Sequence, residues 1–468
     1  MEAKLLEIVQ TVNSYLTDYV LIILLIGIGL FYTIRTRFVQ VRCFPEAMKR
    51  AFGGINLKGG KQEGGLSAFQ ALATAIAAQV GTGNIVGACG AIILGGPGAI
   101  FWMWVIAFFG MATIYSEAVL AQETRVVNAD GSVEGGPVYY ITKAFKGGFG
   151  KFLAGFFAVA TILALGFMGS MVQSNSIGEN FEAAFNVPSW AVGIVVAFVA
   201  GFIFIGGANR IASVTEKIVP IMAAIYLIGC IIVLVASVEN IPGSFALIFK
   251  SAFSPAAAFG GAIGFGIKEA ISQGAKRGLF SNEAGMGSTP HAHALAKVEK
   301  PHDQGVLAMA GVFIDTFVVL TMTALVVIST LYVGENAPIA SGNAEMLGYE
   351  KTSLAQIAFS TVFGDNIGGK FVAICLLFFA FSTIIGWNLF GKVNAVYLFG
   401  KKSEKIYAAI AVIFVFLGSC LSNNLVWELT DMFNYLMVLP NVLALALLSG
   451  IVVKAAKSKK AKKEKAKK

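Results

Sequence analysis

Gln79-Val80-Gly81-Thr82-Gly83-Asn84 stands near the middle of an apolar run spanning residues 66–94. Two glycines, a threonine and an asparagine at that depth weaken a helix locally. Backbone exposed there must be buried in protein or line a wet cavity. A helix interrupted at this point offers two kinds of chemistry. Its outer half begins with free N–H groups and a partial positive charge, which can hold a carboxylate. Its inner half ends in free carbonyls, which suit a sodium ion. The carboxylate cradle would be the amides of Gly81, Thr82, Gly83 and Asn84, with the Thr82 hydroxyl and the Asn84 amide nearby, and Gln79 offers an acceptor for an ammonium. The same residues also fit a close-packed kink in which Gly83 and Gly87 make a small-xxx-small contact. Spacing alone weighs the two readings evenly. Phosphate binding fits worse, because Gly81, Gly83 and Gly87 lack the dinucleotide spacing and no strand precedes them.

A second apolar run, 256–281, is interrupted by Gly260, Gly261, Gly264 and Gly266 and then carries Lys268, Glu269 and Gln273. Opened carbonyls around Gly264, Phe265 and Gly266 would accept from an ammonium. Two interrupted segments at matching places in two halves of a chain point to the binding site of a transporter.

These segments need a membrane around them. Of the 468 residues 57% are hydrophobic and 13% charged, against ~25% charged in a soluble domain. The mean hydropathy is +0.76. That balance argues against a soluble enzyme and against disorder outside the C-terminal end. The 53 glycines and 38 phenylalanines suit helices packed closely in lipid. Eleven runs are long enough to span: 18–34, 66–94, 98–122, 152–182, 189–207, 214–237, 256–281, 304–332, 370–398, 406–421 and 425–452. Most of the 35 basic residues fall in alternate loops, beginning with Arg35, Arg37 and Arg42. The positive-inside rule then puts the N-terminus outside and the C-terminus in the cytoplasm of a multi-pass cell-membrane protein. The chain divides into 1–62 (extracellular N-terminus, an extra helix and a cytoplasmic loop), five-helix halves at 63–237 and 238–452, and a basic tail at 453–468. Residues 135–149 read as an amphipathic interface helix, and 333–369 as a long polar loop of the kind that forms lids.

Several other features carry less. Nine lysines against Glu464 make the tail basic. It reads mainly as a solvated segment that fixes orientation, with membrane lipid as its alternative contact and nucleic acid disfavoured. Cys43, Cys89, Cys230, Cys375 and Cys420 show no spacing for disulfides or a metal. His291, His293 and His302 sit in one predicted cytoplasmic loop; no Cys or carboxylate cluster there supports a metal, and their place outside the bilayer argues against an intramembrane enzyme. Glu117, Glu269, Asp315 and Asp431 fall within predicted spans, where acids are expensive and mark ion pairs or function; Asp315 and Glu117 are expected to pair with a basic side chain or to serve proton linkage.

Three runs resemble one family. They are Gly81-Thr82-Gly83-Asn84-Ile85-Val86-Gly87, Gly95-Gly96-Pro97-Gly98-Ala99-Ile100-Phe101-Trp102, and Arg277-Gly278-Leu279-Phe280-Ser281-Asn282-Glu283-Ala284-Gly285-Met286-Gly287-Ser288. Together with Met171-Val172-Gln173-Ser174-Asn175-Ser176, they look like the alanine/glycine:cation symporter family over residues 15–452. The resemblance implies an all-α membrane protein with a LeuT-like five-plus-five inverted repeat behind one extra helix. It also implies symport of alanine or glycine with Na⁺, or with H⁺, and no organic cofactor. Similarity to that fold places Ser170 and Gln173 beside the substrate, lets Phe265 and Trp387 wall off its side chain, and brings Ser382 and Thr383 against the carbonyls of Ala77 and Val80 as a sodium site. On spacing alone, Ser382 and Thr383 would instead bond back to their own helix. The Asn282–Glu283 pair is expected at the cytoplasmic mouth. A non-transporting amino-acid sensor and a channel-like protein on the same fold are the rivals. Oligomeric state is not legible.

Overall fold

A computed structural model describes the chain except residues 1, 54–64, 130, 254–265, 336, 340–343, 345–346, 422 and 466–468. Backbone that cannot reach water must satisfy its own hydrogen bonds, and helices do so locally. The described residues are accordingly almost all helical. The exception is a short antiparallel pairing of Val126 with Glu134 and Val127 with Val133.

Among the described residues, six helices are long and apolar enough to cross a membrane: Gly98–Thr124, Gly147–Phe185, Gly207–Ala236, Pro301–Leu331, Asp365–Phe399 and Asn424–Leu447. A seventh is the bent pair Ala68–Gln79 and Gly83–Gly95. Ile22–Arg35 and Ser189–Ile205 are apolar but shorter, as is Ser403–Gly418. Length and composition therefore support six or seven of the eleven expected spans. Within 135–149 the helix is Pro137–Ala144, within 333–369 it is Leu354–Phe363, and the tail continues as Ser449–Lys465.

The outer faces are greasy and the inside is partly polar. Ile194, Val195, Phe198, Phe202 and Ile205 are exposed at helical spacing on one helix, and Ile221, Ile225, Ile228, Ile232 and Val235 on another. Such stripes suit lipid rather than water. Gln79, Thr82, Asn84, Gln173, Asp315, Ser382 and Thr383 are all buried.

The first break forms where glycine spacing predicts it. Ser67 starts the helix with a reciprocal capping box: the Gln70 N–H donates to Ser67 Oγ, and the Ser67 N–H to Gln70 Oε1, both at 3.0 Å. Ala68–Gln79 runs to Val80, whose φ of −80° and ψ of 88° leave the helix. The chain resumes as Gly83–Gly95, bent by 47°.

The second break expected at residues 260–266 falls, apart from Gly266, outside the described residues, Gly264 and Phe265 included; the second break among the described residues comes after helix Ile267–Asn282. Gly266, with φ −71° and ψ 153°, is the cap that starts helix Ile267–Asn282 rather than an interruption within it. That helix then ends at Glu283 (φ 60°), and a short helix Pro290–Ala294 follows. Gly285 (φ 93°) and Gly287 (φ 81°) turn the chain between them, in the left-handed region that a side chain rarely adopts. This break is set by where positive φ is required.

Candidate functional site

The two breaks face each other. The Gln79 side chain donates to the Asn282 carbonyl at 2.7 Å, so the end of one helix is tied to the end of the other. Gly83 packs closely here: a Cβ on it would lie 3.0 Å from the Phe280 ring and 3.1 Å from Ser281 Cα. Asn282 and Glu283 thus sit where the two breaks meet.

At the first break the cradle amides have partners. The Gly81 N–H donates to Asn84 Oδ1 at 2.9 Å. The Thr82 N–H and hydroxyl both donate to Gln173 Oε1, at 3.1 and 2.6 Å. A carbonyl oxygen therefore already occupies the start of the outer half-helix, where an anionic oxygen would go. Gln173 Nε2 is buried without a hydrogen-bond partner. Its donors are free for a ligand, and leaving them unmet is costly. Ser170, by contrast, turns its hydroxyl back to the Leu165 carbonyl at 3.0 Å.

Thr383 and Ser382 lie against the inner end of the first break. The Thr383 hydroxyl donates to the Ala77 carbonyl at 2.8 Å and shares the Phe379 carbonyl at 3.1 Å. The Ser382 hydroxyl reaches Phe379 at 2.9 Å and Ala77 at 3.4 Å. Any Cβ on Gly81 would collide with Thr383 Oγ1, so only glycine lets this hydroxyl approach the broken backbone. Of the four expected ligands, Ala77, Ser382 and Thr383 converge; no bond in the structure draws the Val80 carbonyl to them. These are hard oxygen donors of the kind that hold alkali and alkaline-earth cations.

The second break is lined by a carboxylate. Glu283 accepts from the Trp387 indole N–H and from the Ser288 hydroxyl. Trp387 also stacks edge-on against Phe280, with centroids 5.8 Å apart. Glu117 caps the same break, accepting from the Gly285 and Gly287 N–H groups at 3.2 and 3.0 Å and from Asn441 at 2.6 Å. Asp315 accepts from Asn84 (2.7 Å), Ser281 (2.9 Å) and Thr316 (2.7 Å), so it joins both broken helices to helix Pro301–Leu331. Of the two roles expected for these acids, pairing with a basic side chain is not what the structure shows: their hydrogen bonds come from neutral donors, which is the cheaper way to hold a buried carboxylate in place. Asp431 does meet a cation, Arg277, at 3.3 Å. Glu283, Asn441 and Ser281 carry site geometry that composition did not flag. The Gly285-x-Gly287 spacing beside three polar residues was the signal available.

A third cluster lies beyond Phe280. The Arg277 guanidinium is 4.8 Å from the Trp427 ring centroid, and the Lys351 ammonium is 4.7 Å from that ring's centroid. Burial, and then the charge of Arg277, push the Lys351 ammonium down to about 8.

Comparison with known proteins places this geometry. A model of the sodium:alanine symporter family matches residues 2–468. The sodium/alanine symporter AgcS of Methanococcus maripaludis is 41% identical over 453 residues, covering 97% of this chain and 96% of that one. A probable sodium/glutamine symporter of Bacillus subtilis, GlnT, is 38% identical, covering 98% and 91%. Among solved structures, MhsT in complex with L-phenylalanine superposes with a TM-score of 0.58 at 13% identity, over 85% of this chain and 97% of that one. That last likeness concerns the fold alone, which is LeuT-like.

Proposed function

Because this chain belongs to the sodium:alanine symporter family, a family of transporters and not enzymes, we propose that it imports alanine or glycine together with sodium by alternating access. The observation that carries the reading is the pair of facing helix breaks, with the Thr383 and Ser382 hydroxyls turned onto the Ala77 carbonyl at one of them. Sodium sits among Ala77, Val80, Ser382 and Thr383. The substrate carboxylate takes the place that Gln173 Oε1 holds at Thr82, and the freed amide of Gln173 donates to it. The ammonium meets the Asn282 carbonyl and the Glu283 carboxylate, with Gln79 moving aside. Trp387 and Phe280 close the space around the side chain. A tight wall rejects bulk by steric clash, but a missing methyl costs only ~1–3 kcal/mol, so glycine and alanine are poorly separated.

The proposal extends to topology. Eleven spans, the N-terminus outside and the basic tail in the cytoplasm account for the sorting of basic loops. Residues 63–237 and 238–452 form the two halves, each opened by one broken helix. The test is uptake of labelled alanine into proteoliposomes under an inward sodium gradient, with an inward proton gradient as the second arm. Uptake should follow the sodium gradient and vanish when it is dissipated. Uptake driven by protons alone would reassign the coupling ion, and uptake indifferent to both gradients would remove the symporter reading.

A further inference from the structure

The fold brings together a further constellation outside the substrate site. Cys43 and Glu46 lie three residues apart, Cys43 just before helix Phe44–Gly53 and Glu46 within its first turn, so they share one face. His302 is the second residue of helix Pro301–Leu331. One ligand atom from each of the three lies within 4.8 Å of the other two. His302 Nε2 and Glu46 Oε2 are 3.8 Å apart.

Several observations point to a ligand. The His302 ring is 97% buried, with 3% of its surface exposed, and its Nε2 has no hydrogen-bond partner. The other ring nitrogen, Nδ1, is 2.7 Å from the Tyr115 hydroxyl. If Nδ1–H donates to that hydroxyl, the lone pair is left on Nε2, facing Cys43 and Glu46. An outer partner that orients a ring in this way is the usual companion of a metal-ligating histidine. Cys43 is a buried free thiol. Arg50 holds Glu46 Oε1 at 3.0 Å and Asp303 at 2.8 Å, so it braces both helices.

We propose that Cys43, Glu46 and His302 form a zinc site. Sulfur, nitrogen and carboxylate oxygen together suit Zn²⁺ and not Mg²⁺ or Ca²⁺. Bond lengths of 2.0–2.3 Å in a tetrahedron put ligand atoms about 3.3–3.8 Å apart, so the cluster closes by about 1 Å on binding. A thiolate and a carboxylate neutralise the dication, and Arg50 keeps Asp303 as its own counter-ion. Water completes the fourth position, which makes the site exchangeable. The metal staples Phe44–Gly53, which lies ahead of both halves, to the helix that carries Asp315.

Cobalt is the probe, because only a cysteine ligand gives a thiolate-to-cobalt charge-transfer band. Tag-free full-length protein in detergent, kept reduced without chelators, is titrated with Co²⁺. One equivalent should bind with that band, and Zn²⁺ should displace it. Cys43→Ser should lose the band while eluting as the intact protein does. His302→Gln and Glu46→Gln should keep it and need at least roughly tenfold more metal. No band in the unmutated protein, a band that survives Cys43→Ser, or an unchanged titration of His302→Gln would overturn the assignment. None of these readings depends on what the protein transports.

Discussion

At the scale of single residues, the site turns on groups whose hydrogen bonds can be exchanged for ligand. Thr383 donates to Ala77 at 2.8 Å; bound sodium would instead take the hydroxyl oxygen and the carbonyl together. Replacing Ser382 by Ala and Thr383 by Val keeps the volume close and removes both oxygens. Apparent sodium affinity in alanine uptake should then fall by roughly tenfold or more, the worth of hydrogen bonds to a charge. An unaltered sodium dependence would take both residues out of the cation site. Gln173 is tested separately. Its oxygen satisfies Thr82 and its amide nitrogen stands unmet, so Gln173→Leu removes a carboxylate donor and leaves Thr82 N–H without its partner. Alanine binding should weaken by about 1–3 kcal/mol, or roughly 5- to 150-fold. Equal affinity for alanine in the variant would place Gln173 in packing alone.

At the scale of elements, some of the architecture could be read from the chain and some could not. The first break was legible because Gly81, Thr82, Gly83 and Asn84 interrupt an apolar run, and helix Ala68–Gln79 does stop there. The one expected at 260–266 falls, apart from Gly266, outside the described residues, while the turn at Gly285 and Gly287 after helix Ile267–Asn282 was not expected. Composition counts glycines; only tertiary packing says which of them must carry positive φ. Glu117 and Asp315 were legible as costly acids. Their donors Asn441, Asn84 and Ser281 were not, since hydrogen bonding between remote helices leaves no local pattern. Lys351, in the loop after helix Pro301–Leu331, offers a test at this scale. Its ammonium titrates near 8 in the folded protein, below the ordinary lysine value. The unfolded chain therefore binds the extra proton between those two values, and stability gained through this group rises with pH across that window. Melting of the unmutated protein should rise by a few degrees from pH 7 to pH 10 relative to Lys351→Met. Parallel pH profiles would show that Lys351 stays solvated.

At the scale of the whole molecule, the proposed sodium site and the proposed substrate cradle meet at one interrupted helix. Ala77 and Thr383 belong to the first, Gly81 to Asn84 to the second, and Gly81 lies directly against the Thr383 hydroxyl. Cation binding that fixes Ala77 and Val80 also fixes the amides two residues on, so each ligand prepays part of the ordering that the other requires. Thermodynamic linkage then demands a symmetric result: saturating sodium must raise alanine affinity by the same factor by which saturating alanine raises sodium affinity. That factor should lie in the roughly 5–150-fold range of ordinary site coupling. Calorimetry in both orders of addition measures the two factors independently. Gly81→Ala, which pushes the Thr383 hydroxyl off the backbone, should lower both together. Two equal factors near one would mean that the sites are independent, and a symporter built on this shared helix would then have no physical means of coupling.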